Sequence, residues 1–307
     1  MMKKLHSQIL ITGDTGFVGQ HVLESWPHAI GLSSVIKNID IRDKQALSEA
    51  ISKVKPTAVL HLAALSFVPD SFKSPEKTFD VNLVGTLRLL EALKDNNFSG
   101  RLLYVGTGDA YGLVPEIELP VREDRALRPR SPYAVSKLAA EALCYQWSQT
   151  EPFEVLMARP FNHIGIGQSP NFAISGFAKQ IAQINSGISP PSIRVGNLEI
   201  TRDFTDVKDI LRAYELILTQ GHNGTIYNVC SGQEYSLRSM LERLLMLSGV
   251  QATIELDPAL IRPVEQTRMR GSYKLLQSHT GWAPASDIDE TLLKIYNNWK
   301  NLIHDGT

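Results

Sequence analysis

"ITGDTGFVGQ" runs from Ile11 to Gln20 and sets glycines at Gly13, Gly16 and Gly19. Three glycines so spaced are either a phosphate-binding turn or loop punctuation, and the neighbouring residues bear on the choice. "QILITG" (Gln8 to Gly13) is a short apolar run of strand type, and "FVGQHVLESW" (Phe17 to Trp26) reads as the first turns of a helix. Strand, glycine turn and helix opening is the order a dinucleotide site requires. The first glycine permits the tight turn, the second lets backbone approach a pyrophosphate, and the third lets helix and strand pack closely. The helix N-terminus then offers unpaired N–H groups to the anion. The spacing is GxxGxxG rather than GxGxxG, so a plain strand-to-helix loop stays open on spacing alone.

Outward from that turn, strand-like and helix-like stretches alternate. "AVLHLAA" (Ala58 to Ala64) is nearly continuous apolar sequence, as in a strand buried on both faces. "TFDVNLVGTLRLLEALKDN" (Thr78 to Asn96) has helical spacing, with Leu83, Leu87, Leu90 and Leu93 on neighbouring positions. "GRLLYVGTGDAYG" (Gly100 to Gly112) is a strand entering a loop, "YAVSKLAAEALCYQWSQ" (Tyr133 to Gln149) a helix after Pro132, and "FEVLMARPFN" (Phe153 to Asn162) a further strand. The alternation predicts an α/β fold, a Rossmann-type doubly wound parallel sheet. Beyond Asn162, Pro170, Pro190 and Pro191 break the pattern, and a smaller C-terminal α/β substrate-binding subdomain is expected. The expected division is 1–162 for dinucleotide binding, with return segments near 198–232, and 163–307 mainly for the substrate.

Charge is balanced, 31 basic against 32 acidic residues without a long run of one sign, so neither nucleic acid nor an anionic membrane is implied as a partner. The apolar stretch after "MMKK" is too short for a signal peptide, and no segment reaches the roughly 18 apolar residues of a membrane span. Cys144 and Cys230 form no CxxC pair and read as reduced core residues of a cytoplasmic protein. The histidines are scattered, and no metal is expected.

The chemistry centres on "SPYAVSKLAAE", where Tyr133 and Lys137 lie four residues apart and share a helix face. An ammonium beside a phenol is expected to draw the tyrosine pKa from about 10 towards neutrality, making it a usable proton donor to a carbonyl under hydride attack. Such pairs also arise by chance on exposed helices. Thr107 falls at a strand end, on the carboxyl edge where parallel sheets bind ligands. Its hydroxyl either hydrogen-bonds a substrate carbonyl or caps a turn. One site explains the glycine turn, Thr107 and the Tyr133/Lys137 pair together.

With "HLAA" (His61 to Ala64), "VNLVGT" (Val81 to Thr86), "TGDAYG", "ARPFNHIG" (Ala158 to Gly165) and "RDFTDVKD" (Arg202 to Asp209), these motifs resemble the extended short-chain dehydrogenase/reductase family over essentially the whole chain. "ARPFNHIGIGQ", "YNVCSGQE" and "RPVEQTRMRGS" resemble the bacterial members that reduce GDP-linked 4-keto-6-deoxy sugars. The resemblance implies reduction of the C4 ketone of GDP-4-dehydro-6-deoxy-D-mannose to GDP-D-rhamnose, with Thr107, Tyr133 and Lys137 as the catalytic trio. It implies cofactor contacts from Gly13, Gly16, Phe17, Val18, Gly19, Asp40, Ile41, Leu62, Ala63, Ala64, Tyr133 and Lys137. Asn162, Arg202, Arg262 and the weaker candidate Lys179 would approach the substrate diphosphate, and Glu265 the guanosine ribose. It also implies a homodimer built on a four-helix bundle from the helices near Thr78–Asn96 and Tyr133–Gln149.

Two departures stand out. "AIGLSSVIKN" carries no acid at the end of the second strand, where a carboxylate would bind the adenosine 2′-hydroxyl. Ser33, Ser34 and Lys37 there suit a 2′-phosphate, so NADPH is expected, with NADH also usable. Asp109, on the substrate side, stands where related 4,6-dehydratases have a glutamate base. This keeps a nucleotide-sugar dehydratase or epimerase as the alternative, with a non-catalytic dinucleotide sensor as the reading from another class.

Overall fold

The computed structural model describes residues 8–261 and 266–305. Six strands form a parallel sheet: β1 (Ile9–Thr12), β2 (Ala29–Gly31), β3 (Ala58–His61), β4 (Arg101–Val105), β5 (Glu154–Pro160) and β9 (Ile226–Val229), in the order β2-β1-β3-β4-β5-β9. The order reverses between β1 and β3, which opens a crevice at the carboxyl ends of those strands. Side chains alternate between two cores. Ile9, Ile11, Leu60, Leu103 and Leu156 enter one, while Leu10, Val59, Leu102, Val155 and Met157 enter the other. Burial on both faces is why these strands read as apolar runs without alternation.

Helices α1 (Phe17–Ser25), α2 (Leu32–Val35), α3 (Lys44–Val54), α4 (Val68–Lys73), α5 (Pro75–Phe79), α6 (Gly85–Asp95) and α7 (Pro132–Thr150) follow in the first half. α3, α6 and α7 pack on one face of the sheet. α1 lies on the other, with α9 (Val207–Gln220) and α11 (Lys274–Thr280). α5 runs into α6 through a π-helical segment, Asp80–Val84, so Thr78–Asn96 is one helical stretch with a widened turn. α7 begins where its sequence dictates: Ser131 caps it by accepting from Ala134 N at 3.1 Å, and Pro132 takes the first helical position.

The remaining elements form a smaller body. β6 (Asn162–Ile164), β8 (Thr201–Asp206) and β10 (Glu234–Ser236) make a three-stranded sheet, and β7 (Ser192–Val195) pairs with β11 (Thr253–Leu256). A third core joins α8 (Ala173–Asn185), α10 (Leu237–Ser248) and α12 (Ile288–Asp305).

α7 is tied to the sheet by a buried ion pair. Arg159 of β5 donates Nε to Glu141 Oε2 at 2.9 Å and Nη2 to Oε1 at 2.7 Å, and both residues are under 5% exposed. Arg159 Nη1 also donates to the Tyr111 hydroxyl at 2.9 Å, which in turn donates to Asn228 Oδ1 at 2.7 Å. Breaking one side of such a pair strands the other charge in the interior. Arg159→Met is therefore expected to lose about 3–5 kcal/mol of stability in urea unfolding. Adding Glu141→Leu should restore most of that loss; a double variant no more stable than the single would contradict this account.

Candidate active site

The crevice is lined first by the glycine turn. Gly13 has φ +72°, and a Cβ there would stand 2.6 Å from Ala63 N. A Cβ on Gly19 would collide with the Gly13 carbonyl oxygen, so α1 sits directly on the turn. Gly16 is the N-cap of α1 and no side chain caps the helix, which leaves the first-turn N–H groups of Phe17 and Val18 to a ligand. A cradle that only glycine can form, closed by an uncapped helix start, fits the pyrophosphate of a dinucleotide.

The opposite wall is held by hydrogen bonds across strands. Leu62 N donates to Thr12 O at 3.1 Å and Ala63 N to Thr12 Oγ1 at 3.2 Å, and Leu62, Ala63 and Ala64 remain partly exposed along the edge. The exposed Asp40 carboxylate is clasped by Arg42 and held down to about 2 by that bond, whereas Ile41 buries its side chain against Gly85.

His61, Thr86 and Asn82, which carried no role in the sequence reading, organise this wall. The Thr86 hydroxyl donates to Asn82 O at 2.7 Å, so at 2.9 Å it accepts from His61 Nε2. His61 Nδ1 then accepts from the Thr12 hydroxyl at 2.6 Å. This ring is neutral, and burial, helped by the Lys137 charge, drives it down to about 3. Asn82, in the π-helical turn, accepts from Leu65 N at 2.8 Å and donates to Ser136 Oγ at 2.9 Å, joining the loop after β3 to α7. The only sequence signal for it was its place in "VNLVGT".

Thr107 and Tyr133 converge, and Lys137 lies one turn further along α7. The Thr107 side chain lies close enough to the Tyr133 hydroxyl to favour its ionised form, and Thr107 Oγ1 accepts from Asp109 N at 3.1 Å. Thr107 thus caps a turn and faces the phenol at once. Lys137, 4% exposed, lays its ammonium 4.6 Å over the Tyr104 ring, whose hydroxyl donates to Lys137 O at 2.9 Å. The electrostatics correct the sequence expectation. Burial of the hydroxyl end pushes Tyr133 up rather than towards neutrality, the Asp109 charge adds to the rise, and the Thr107 side chain offsets only part of it. The ring as a whole keeps some exposure. Lys137 meanwhile is itself driven down to about 8 by burial.

Of the residues expected to face the substrate, Asp109 is exposed. Asn162, also exposed, opens β6 in register with Phe204, two residues along β8 from Arg202. Arg202 donates Nη1 to Thr201 O at 2.7 Å and to Gln266 O at 2.8 Å, so it braces β8 against the following chain. Lys179 places its ammonium 5.3 Å over the Trp299 ring of α12. Arg262 and Glu265 lie outside the described residues. Arg270, which the sequence reading passed over, keeps a buried Nε with no hydrogen-bond partner among the described residues. No helix among them is long and apolar enough to cross a membrane, and none of their His, Cys, Asp and Glu groups could hold a metal ion.

Comparison with known proteins places this geometry. The family model described as GDP-mannose 4,6 dehydratase matches residues 27–295. GDP-6-deoxy-D-mannose reductase of Pseudomonas aeruginosa is 43% identical over 302 residues, covering 97% of this chain and 99% of the relative. GDP-6-deoxy-D-talose 4-dehydrogenase of Aggregatibacter actinomycetemcomitans is 29% identical over 270 residues, covering 86% of this chain and 88% of the relative. A solved structure of RMD from Pseudomonas aeruginosa complexed with NADPH superposes with a TM-score of 0.91 at 43% identity, covering 96% of this chain and 100% of that one.

The buried ammonium sets a pH signature. The Lys137 value in the folded chain, about 8, lies below the ordinary 10.5, so the unfolded chain holds the extra proton between those values. Stability from this residue therefore rises with pH across that window and is lost as pH falls through about 8. Lys137→Met is expected to be about 3 kcal/mol more stable than the parent at pH 7, an advantage that shrinks by pH 10. Urea unfolding at both pH values checks this; a pH-independent difference would contradict it.

Proposed function

The chain belongs to the GDP-mannose 4,6 dehydratase family, and from that premise we propose that it reduces the C4 ketone of GDP-4-dehydro-6-deoxy-D-mannose to GDP-D-rhamnose. The observation that carries the reading is the placing of Tyr133 beside Thr107 just past β4, with the ammonium of Lys137, on the same helix, acting on His61 of the cofactor wall. The 43% identity over nearly the whole chain to a reductase of that sugar supports it. NADPH, seen with the structural relative, is the cofactor, held by the glycine turn and by Leu62, Ala63 and Ala64. When bound, it supplies the hydride.

Tyr133 gives its proton to the developing alkoxide. A phenol raised by burial stays protonated until charge appears on the substrate oxygen, so it serves as an acid rather than a base. Thr107 orients that proton and hydrogen-bonds the ketone. Lys137 sets the electrostatic background and holds the cofactor ribose. Asn162 and Arg202, with Arg262, take the diphosphate, and Glu265 takes the guanosine ribose. Lys179 is a secondary anion contact, and the smaller body around α8, α10 and α12 forms the nucleotide-sugar side. A dehydratase remains as a second reading because the Asp109 carboxylate lies close enough to Tyr133 to raise it.

We further place the enzyme in the cytoplasm as a homodimer. Two buried free thiols suit a reducing compartment. Leu90 is fully buried within the chain, but Leu83 and Leu87 keep exposure, and Val135 and Tyr145 of α7 are 38% and 50% exposed. Those four are the apolar surface of the bundle, and sedimentation at micromolar concentration should show a two-fold dimer.

The deciding assay offers NADPH with GDP-, dTDP- and UDP-linked 4-keto-6-deoxy sugars. The GDP substrate should consume cofactor one for one and give the rhamno product by NMR. Recycling of cofactor without net oxidation would instead favour the dehydratase. Tyr133→Phe should bind both ligands and lose about 10²–10⁴-fold in kcat; near-parental turnover would remove Tyr133 from the mechanism.

A further inference from the structure

The end of β2 holds an acid after all, and it comes from elsewhere in the chain. In doubly wound sheets the carboxylate that takes the adenosine ribose hydroxyls stands at the end of the second strand. Here β2 ends at Gly31, and Leu32, Ser33 and Ser34 follow. Asp14, inside the glycine turn, reaches across from β1 to that place. Ser33 N donates to its Oδ1 at 3.2 Å and to Oδ2 at 3.3 Å, and the Ser33 hydroxyl donates to Oδ2. Asp14 is only 5% exposed.

Two other residues are matched to it. A Cβ on Gly31 would stand 2.8 Å from Asp14 Cγ and collide with Oδ2, so residue 31 must be glycine for the carboxylate to lie there. Ser33 supplies two donors from one residue, which fixes the carboxylate without neutralising it. The cations nearby in sequence do not offset it equally. Arg42 is engaged with Asp40, and Lys37 is exposed.

We propose that Asp14 is a specificity-determining residue for the cofactor's 2′ position. Its carboxylate accepts from a ribose 2′-hydroxyl and opposes a 2′-phosphate, so this enzyme uses NADH alongside NADPH. The inference rests on the reductase reading only in taking a nicotinamide dinucleotide as the cofactor. It reverses the weight of Ser33, which is committed to holding Asp14 and is not available to hold a phosphate, and leaves Ser34 and Lys37 as the groups that admit NADPH.

The test is calorimetric titration of NADPH, NADH, 2′,5′-ADP and 5′-ADP into the parent, Asp14→Asn and Asp14→Ala, with thermal melting to verify folding. Asp14→Asn keeps the shape and removes only the charge. In the parent, the NADH and NADPH affinities are expected to fall within about tenfold of each other. In both variants the NADPH-to-NADH affinity ratio should rise about tenfold, from tighter NADPH and 2′,5′-ADP and weaker 5′-ADP and NADH, an effect of one nearby charge. The gain should shrink as salt is raised. A ratio that moves less than twofold, or a salt-independent change, would overturn the proposal. So would a parent that favours NADPH more than a hundredfold, which settles the matter even if neither variant folds. Binding that follows these expectations without turnover of the GDP-linked ketone would sink the reductase reading and leave Asp14's assignment standing.

Discussion

The buried pair of Glu141 and Arg159 fixes where α7 lies, and the site depends on that placement. Two opposite charges, each hydrogen-bonded twice to the other, tie the middle of the helix to β5, and Arg159 passes the constraint through Tyr111 to Asn228 on β9. The Tyr104 hydroxyl of β4 on Lys137 O and Asn82 of the π-helical turn on Ser136 Oγ hold the same helix. Tyr133 and Lys137 sit at its N-terminal end. Because α7 is pinned at three points, a phenol is held beside the threonine that follows β4 and an ammonium over the Tyr104 ring with little freedom to drift, the kind of preorganisation that acid catalysis requires.

The site holds its charges at a cost to the fold. Lys137 is buried with its ammonium on an aromatic face, Tyr133 is raised by burial, and His61 is kept neutral between Thr12 and Thr86. None of these is the lowest-energy use of its residue for folding alone, and perturbed groups gathered in one crevice mark a functional centre. The neutral His61 matters here: a second cation beside Lys137 would disfavour the ammonium further.

In the proposed reading, cofactor and substrate are served by different kinds of contact. The glycine turn and α1 use backbone N–H groups and bare Cα atoms, which fit an anion of one shape. The smaller body offers arginines on strands and loops, among them Arg202, which braces β8, and Arg270, whose Nε is buried without a partner among the described residues. Backbone cradles tolerate little change, whereas side-chain contacts can be re-tuned singly. That division suits a fold whose relatives act on different nucleotide sugars.

The parallel sheet, the glycine turn and the helix that carries Tyr133 and Lys137 were legible in the order of the amino acids. Strand burial on two faces, glycine spacing and a Ser-Pro helix start are properties of consecutive residues, and they are legible in "QILITG", "TGDTGFVG" and "SPYAVSK". Through-space partners were decided only by the tertiary structure. Asp14 meets Ser33 across 19 residues, Lys137 lies over Tyr104 rather than lowering Tyr133, Asn82 bridges to Ser136 across 54 residues, and Leu90 faces inward whereas Leu87 on the same helix keeps exposure. The reason is physical. Periodicity fixes which face a side chain takes along its own element, but strand register and the burial of each polar group against its neighbours fix what it meets there, and both are set by packing between segments distant in the chain.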